Sequence, residues 1–209
     1  MPKNYISNDS DSTRMFKNGF MESLSKVHYT VPLFIYVPIV VVFIYRSFAV
    51  KENTLSWFFI YLLVGAFIWT ITEYILHRYI FHFVPKSKWG LRLHFIFHGV
   101  HHDYPRDAKR LVMPPSASIP LALLFYFLFW WLVPTHMMDA FFAGFLIGYL
   151  FYDMAHYAIH HGNFKSGIMK SIKQHHMLHH YSDSSKGYGV SSSLWDIFFQ
   201  SGFDKEKKQ

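Results

Sequence analysis

Apolar residues are concentrated in long segments that polar connections separate. Residues 31–50 are nearly all apolar, and residues 55–76 form a second such segment after a short polar connection. Each is long enough to cross the hydrocarbon core of a bilayer, for which a helix needs about 20 residues. The pattern therefore predicts a hairpin of two membrane-spanning helices.

The third and fourth apolar segments cover residues 118–133 and 140–155. Both are somewhat short for independent spans, so they either extend into flanking residues or form a re-entrant pair. Together the four segments favour an all-α fold, an integral membrane domain with about four transmembrane or membrane-embedded helices.

The first 26 residues are polar and lack the apolar core and cleavage site of a secretory signal. We predict a polar cytosolic N-terminal tail over residues 1–26 and a membrane-embedded domain over residues 27–209. The tail either stays partly disordered or ends in a short amphipathic helix on the membrane surface. The helix is suggested by apolar residues near helical spacing, namely Met15, Phe16, Phe20, Met21 and Leu24.

Composition supports the membrane interpretation and limits the available chemistry. Hydrophobic residues make up 52% of the chain and charged residues only 16%, a balance shifted away from ordinary soluble proteins. There is no cysteine, which excludes disulfides and thiolate ligands. Any transition metal must therefore use nitrogen or oxygen ligands, and the 15 histidines are the obvious supply.

The basic residues indicate a topology. The net charge of +7 would make nucleic acid a candidate partner of a soluble protein, but here Lys and Arg are spread between apolar segments, so we expect none. Residues 77–116 contain seven Lys and Arg, whereas the connection at residues 134–136 contains none. The positive-inside rule then places both termini and residues 77–116 in the cytosol. A bacterial inner membrane and an endoplasmic reticulum membrane are both compatible with this topology.

Ten histidines form four clusters, all on the predicted cytosolic side. They are His77 and His82; His98, His101 and His102; His156 and His160; and His176, His179 and His180. Each triplet has the spacing i, i+3, i+4, which puts three imidazoles on one helical face, and three imidazoles on one face suit a metal ion. His77 and His82 are five residues apart, so a loosened or broken helix end is needed to bring them together.

Ten imidazoles suit two metal ions with about five ligands each, which leaves a position for water or oxygen. Neutral imidazoles do not cancel the charge of two divalent ions, so carboxylates should lie in the outer shell. Glu73, Asp153 and Asp183 are the candidates. His161 and His175, beside the regular clusters, are predicted to be outer-shell donors rather than ligands.

The clusters and their neighbours resemble the fatty acid hydroxylase and sterol desaturase superfamily, and within it the hydroxylase domain of fatty acid 2-hydroxylases. The matching residues run from Glu73 to Asp196. They are residues 73–78 with His82, residues 98–102, residues 112–115, residues 152–153 with His156 and His160, residues 176–181, and residues 187–190 with 195–196. The resemblance implies that the ten histidines are ligands of a dimetal centre under a cytosolic, histidine-rich helical cap.

The resemblance also implies cofactors and a partner. We expect two metal ions, iron for catalysis with zinc able to replace it in purified protein, together with O2 and external electrons. Yeast and animal members of the family also carry a haem-binding cytochrome b5 domain, for which this chain has neither room nor motif. Electrons are therefore expected from a separate protein such as a cytochrome b5 or a ferredoxin. No separate side-chain acid or base is assigned.

The expected reaction is hydroxylation of a lipid acyl chain at C2, in a free fatty acid or in a sphingolipid. The loops at residues 103–116 and 181–196 would form a roof near the headgroup. The residues expected to contact substrate or headgroup are Lys109, Arg110, Met113, Tyr181 and Trp195. Asp103 stands where the family often has a basic residue.

Three alternatives stay open on the sequence. A carotenoid or sterol hydroxylase or desaturase of the same superfamily would share the clusters and differ in its pocket. A histidine-rich membrane metal transporter would place histidines along a path within the spans, whereas these gather at one membrane face. A structural zinc protein would need far fewer ligands.

Overall fold

The computed structural model describes residues 4–10 and 12–203, and within them all regular structure is helical. The all-α prediction is confirmed. The α-helices are α1 (Gly19–Leu24), α2 (Val31–Ala49), α3 (Leu55–Ile75), α4 (Lys88–His94), α5 (Val100–Asp103), α6 (Pro115–Leu132), α7 (Thr135–His161), α8 (Gly167–Tyr181) and α9 (Leu194–Phe198). Two π-helical turns, Leu76–Phe81 and Phe95–Gly99, follow α3 and α4 directly.

Among the residues that the structure describes, four helices are long and apolar enough to cross a membrane, as predicted. They are α2, α3 with its π-helical turn, α6 and α7. The fourth is longer than its apolar segment suggested, because α7 runs for 27 residues and ends beyond His160. Of the two alternatives for this segment, extension into flanking residues therefore describes α7. Large apolar side chains remain exposed on the four helices, with Trp131 at 81% exposure, as expected of a membrane protein whose side chains face lipid.

The chain folds into two compact units. The histidine unit comprises the described parts of Met1–Thr13, Glu73–Leu111 and Ala155–Gln209; the span unit comprises those of Arg14–Thr72 and Val112–Met154. Helices α3 and α7 contribute residues to both. The predicted domain boundary after residue 26 remains a prediction.

Glycines allow α3 and α7 to pack closely in the span unit. A Cβ added to Gly65 would lie 1.9 Å from the carbonyl oxygen of Phe141, and one added to Gly144 would lie 1.9 Å from that of Leu62. Small residues at a helix crossing let two backbones approach within a membrane. α7 is correspondingly the most buried of the four candidate spans, with 72% of its apolar 18-residue stretch inside the protein.

A polar cluster links the C-terminal end of α2 to the N-terminal end of α7 in the span unit. Arg46 pairs with the buried carboxylate of Asp139 at 3.3 Å. The Asn53 side-chain amide donates to the Ser47 hydroxyl at 2.9 Å and to the His136 carbonyl at 3.0 Å. These bonds satisfy buried polar groups that would otherwise be costly in an apolar environment.

The N-terminal residues pack more closely than a polar tail would. In the histidine unit, the backbone amides of Ile6 and Ser7 donate to the Asp103 carbonyl at 2.9 and 3.1 Å. The Tyr181 hydroxyl donates to the Asn8 side chain at 2.9 Å. Further along, α1 provides the short helix that was one of the two alternatives for this region.

Candidate metal centre

A π-helical turn brings the first two histidines together. The amide of His82 donates to the carbonyl of His77 at 3.1 Å, which is the i to i+5 bond of a π-helix. In this geometry residues five apart lie above one another, and the two Nε2 atoms are 3.2 Å apart. The loosened helix end that the spacing required is therefore present, and such turns occur frequently at functional sites.

The second π-helical turn leads into the first histidine triplet. The Val100 amide donates to the Phe95 carbonyl, again five residues back. His98, in this turn, and His102, in α5, then place their Nε2 atoms 3.0 Å apart. His101 lies between them in sequence but does not join this pair.

The ten predicted ligands assemble into two groups of five, both within the histidine unit. Centre A consists of His77, His82, His98, His102 and His179, and centre B of His101, His156, His160, His176 and His180. In each group, one ring nitrogen from every side chain lies within 4.8 Å of all the others. Each group could hold one metal ion, and two metals with about five ligands each stay a prediction.

The structure corrects one expectation, because neither triplet lies within a single group of five. In each triplet the i and i+4 histidines join one centre and the i+3 histidine joins the other. Successive helical residues turn by about 100°, so positions i+3 and i+4 diverge by that angle and lie on opposite sides of position i. Each triplet therefore bridges the two centres.

The spacing in centre A suits a bound ion. The Nε2 atom of His98 is 3.1 Å from that of His77 and 3.1 Å from that of His82. The Nε2 atoms of His82 and His179 are 3.0 Å apart. Two nitrogens at about 2.1 Å from a shared ion and about 90° apart would be separated by about 3.0 Å.

Centre B has the same spacing around His176. Its Nε2 atom is 3.1 Å from that of His156, 3.0 Å from that of His160 and 3.0 Å from that of His180. The Nε2 atom of His101 is buried and has no hydrogen-bond partner in the described part of the chain. This buried ring nitrogen lies beside four others, and a metal ion coordinated by it would provide the partner that it lacks.

Burial keeps these histidines neutral. It lowers the pKa of His82 to about 2, with neighbouring histidines adding to the effect, and lowers that of His179 to about 4, although the hydrogen bond to the Lys186 carbonyl and the nearby Asp196 oppose the shift. Burial likewise lowers the pKa of His101 and His180 well below the ordinary value. Neutral imidazoles have a lone pair for a metal ion, so the site needs no deprotonation near neutral pH.

Two backbone carbonyls orient histidines of centre A. The Nδ1 atom of His77 donates to the Tyr188 carbonyl at 2.5 Å, and that of His179 donates to the Lys186 carbonyl at 2.7 Å. Because a carbonyl only accepts, the proton of each ring is on Nδ1. The lone pair of Nε2 is then directed towards the centre.

Asp196 holds the loop that supplies these carbonyls. Its buried carboxylate accepts hydrogen bonds from the amides of Tyr188 at 2.9 Å and Gly189 at 2.7 Å and from the Ser201 hydroxyl at 2.8 Å. It also contacts the Nε2 atom of His175 at 2.9 Å. His175 thus lies outside both groups of five and contacts Asp196, and its outer-shell role stays a prediction. Asp196 was missed as a site residue, although it was part of the motif that carried the family resemblance.

Glu73 holds the other side of the same loop. It accepts hydrogen bonds from the amides of Val190 and Ser191, both at 2.8 Å, and from the Ser191 hydroxyl. It therefore holds the loop, and its outer-shell role stays a prediction. Gly187 has a φ of +71°, where a side chain would be strained and would meet Phe203.

The other predicted outer-shell residues have local partners. Asp153, in the span unit, accepts from the Tyr149 hydroxyl at 2.9 Å and from the Met113 amide at 3.3 Å. Asp183 accepts from the Ser185 amide at 2.9 Å and so shapes the turn before Lys186. His161 is exposed and lies against the ring of Tyr157.

The predicted substrate contacts occupy different environments. Lys109 is exposed and Met113 lines a narrow cavity of the span unit. Arg110 is buried, pairs with Asp107 at 3.4 Å and donates to the Thr13 carbonyl, so it has an internal structural role. Tyr181 bonds Asn8, and the Trp195 ring packs against Phe198 and Phe199.

The neutral histidines predict a pH dependence of the metal-free protein. A histidine with a lowered pKa binds fewer protons when folded than when unfolded, so stability falls as pH drops from 6.5 towards the folded pKa, which for His179 is about 4. Each such group contributes up to about 1.4 kcal/mol per pH unit in this window.

We expect the unfolding temperature of metal-free protein in detergent to fall between about pH 7 and about pH 5. The variant His179→Gln removes one of the titrating groups and should show a shallower dependence. An unfolding temperature that stays constant over this range would contradict the prediction.

Fold and site define a class, an all-helical membrane protein with two buried, all-histidine groups suited to metal ions. Comparison with known proteins gives the family. A model of the fatty acid hydroxylase family matches residues 62–201, and the chain belongs to this family.

Similar proteins agree. A dihydroceramide fatty acyl 2-hydroxylase of Arabidopsis thaliana is 38% identical over 90% of this chain and 79% of its own length. The human fatty acid 2-hydroxylase is 37% identical over 89% of this chain and 55% of its own length. A solved structure of full-length scs7p, in which only the hydroxylase domain is visible, superposes with a TM-score of 0.84 at 38% identity, covering 90% of this chain and 71% of that one.

Proposed function

We propose that this protein hydroxylates a lipid acyl chain at C2, in a fatty acid or in the acyl chain of a sphingolipid. The observation that carries the proposal is the pair of five-histidine centres in a chain whose relatives are named fatty acid or dihydroceramide fatty acyl 2-hydroxylases. The balanced reaction takes one C–H bond, O2, two electrons and two protons to a C–OH bond and water. These relatives do not favour the carotenoid or sterol alternative, or the metal transporter.

The ten histidines of centres A and B would hold the two ions, and iron is the proposed catalytic metal. Bound iron would supply the oxygen activation and C–H oxidation that no side chain can supply. Zinc is able to replace iron in purified protein, because it competes well with ferrous iron for nitrogen ligands. Zinc in a preparation would therefore not contradict the proposal.

The chain's own groups provide position and exclusion of water. Centre B is buried in all five of its histidines, and centre A in three of five, with His82 and His102 half-buried. The five neutral histidines of each centre would hold one ion and would leave room for a further ligand. We assign no side-chain acid or base, so the protons would come with the electrons from outside.

An external donor, a cytochrome b5 or a ferredoxin, is proposed to deliver the electrons. The distribution of Lys and Arg supports a topology with both termini and the centres in the cytosol. A bacterial inner membrane or an endoplasmic reticulum membrane would allow it. Either compartment would bring a soluble or membrane-bound donor to the same face.

The test is lipid mass spectrometry after expression in a host that lacks 2-hydroxylated lipids, with iron, oxygen and a donor system supplied. We expect 2-hydroxylated acyl chains in cells with the wild-type chain and none with His179→Ala. Expression of both proteins in the membrane fraction must be equal. Absence of any oxygenated acyl chain would reject the proposal, and oxygenated sterol or carotenoid would favour the alternative.

A further inference from the structure

The outer hydrogen bonds of centres A and B differ. In centre A, His77 and His179 each donate an Nδ1 hydrogen bond to a backbone carbonyl. In centre B, the Nδ1 atoms of His176 and His180 are buried and have no hydrogen-bond partner in the part of the chain that the structure describes. His160, a third histidine of centre B, does have such a partner, because its ring bonds the Pro105 carbonyl. The two centres thus have the same ligand type and number but different support.

Both supporting carbonyls of centre A belong to one loop, residues 186–191. This loop is held on two sides by the carboxylates of Asp196 and Glu73, which bind four consecutive backbone amides at residues 188–191. With the amides engaged by the carboxylates, the Tyr188 carbonyl is available to His77. Both carboxylates are buried, with exposures of 1% for Asp196 and 4% for Glu73.

An acceptor on Nδ1 does two things for a metal ligand. It fixes the tautomer and ring orientation, and it raises the basicity of the nitrogen that faces the ion. Loss of such a partner typically weakens metal affinity by about 10- to 100-fold. A substitution that loosens this loop should consequently weaken metal binding at centre A and leave metal binding at centre B unchanged.

We propose that Asp196 and Glu73 are positioning residues that act through the loop at residues 186–191 on centre A alone, so that the two ions are held by independent and unequal supports. The inference rests on the proposed use of two metal ions. It adds that the binding of one ion can be weakened without the other, by substituting residues that are not ligands.

The principal test is Asp196→Asn, measured with Zn²⁺ alone on the full chain in detergent. An amide keeps the size but turns an NH2 group towards one of the backbone amides, so the loop loses an acceptor. After dialysis against buffered zinc, elemental analysis should show one ion weakened by about 10- to 100-fold and the other unchanged. The matched control is Asp139→Asn, which neutralises another buried carboxylate, in the span unit, and should leave both ions unchanged.

Ligand variants identify the weakened centre. The experiment uses a zinc concentration at which the Asp196→Asn protein binds one ion. Adding His77→Ala, in centre A, should then cause no further loss of bound zinc. Adding His176→Ala from centre B should remove the remaining ion. Equal weakening of both ions, no weakening of either, or the reverse pattern would overturn the proposal.

A second variant protects the test against misfolding. Glu73→Gln should weaken the same ion as Asp196→Asn, and circular dichroism must show wild-type helix content in the variant used. In wild-type protein, a zinc chelator should remove the ions in two phases, and one phase with a stoichiometry of two would contradict unequal supports. Wild-type protein that binds no zinc would reject the metal sites of the proposed function, whereas two bound ions without lipid hydroxylation would reject only the reaction.

Discussion

The variant His179→Ala is expected to abolish 2-hydroxylated product and to lower bound metal by about one ion per chain. Position 179 is fully buried, with its Nε2 atom 3.0 Å from that of His82 and its Nδ1 held by the Lys186 carbonyl. Alanine removes the ligand and leaves that carbonyl without its donor. Product is measured by lipid mass spectrometry and metal by elemental analysis of purified protein.

Neighbouring histidines of one triplet provide the sharpest version of this experiment. His101 and His102 are adjacent in sequence but belong to centres B and A. Combining His179→Ala with His102→Ala should remove no more metal than His179→Ala alone, because both variants affect centre A. Combining it with His101→Ala should remove both ions. If the two double variants lose equal amounts of metal, the division into centres A and B is wrong.

The second large effect is expected at the crossing of α3 and α7. Replacing Gly65 with valine should prevent accumulation of folded protein, because its Cβ alone would lie 1.9 Å from the Phe141 carbonyl oxygen and would force the two backbones apart. Overpacking a well-packed core typically costs about 1–3 kcal/mol, and a clash with backbone is harder to relieve than one with a side chain. The measurement is the yield of monodisperse protein in detergent and its unfolding temperature.

Substitutions at two other glycines, Gly144 and Gly19, test whether the defect comes from the helix crossing. Gly144→Val should reproduce the defect, since its Cβ would meet the Leu62 carbonyl oxygen at 1.9 Å. Gly19→Val is the control, because nothing lies within 4 Å of a Cβ at that position. Normal yield and stability for Gly65→Val would show that the helices separate easily at this crossing.

Local sequence signals were sufficient to predict the membrane-spanning helices and the histidines that could bind metal. Twenty or so apolar residues in a row favour a spanning helix wherever they occur, since backbone groups must be satisfied internally in lipid. That is why residues 31–50 and 55–76 match α2 and α3 closely. The end of α7 was harder, because its last turn is polar and histidine-rich, and no apolar pattern marks its continuation to His161.

Sequence alone thus determined the membrane helices, the ten histidines and the need for a loosened helix end between His77 and His82. Only the tertiary structure decided that each triplet is shared between two centres. Spacing fixes the angle of each imidazole around its own helix, but the partner that it faces depends on how separate helices pack. The same is true of Asp196, which lies 119 residues after His77 in the sequence and acts on it through the Tyr188 carbonyl.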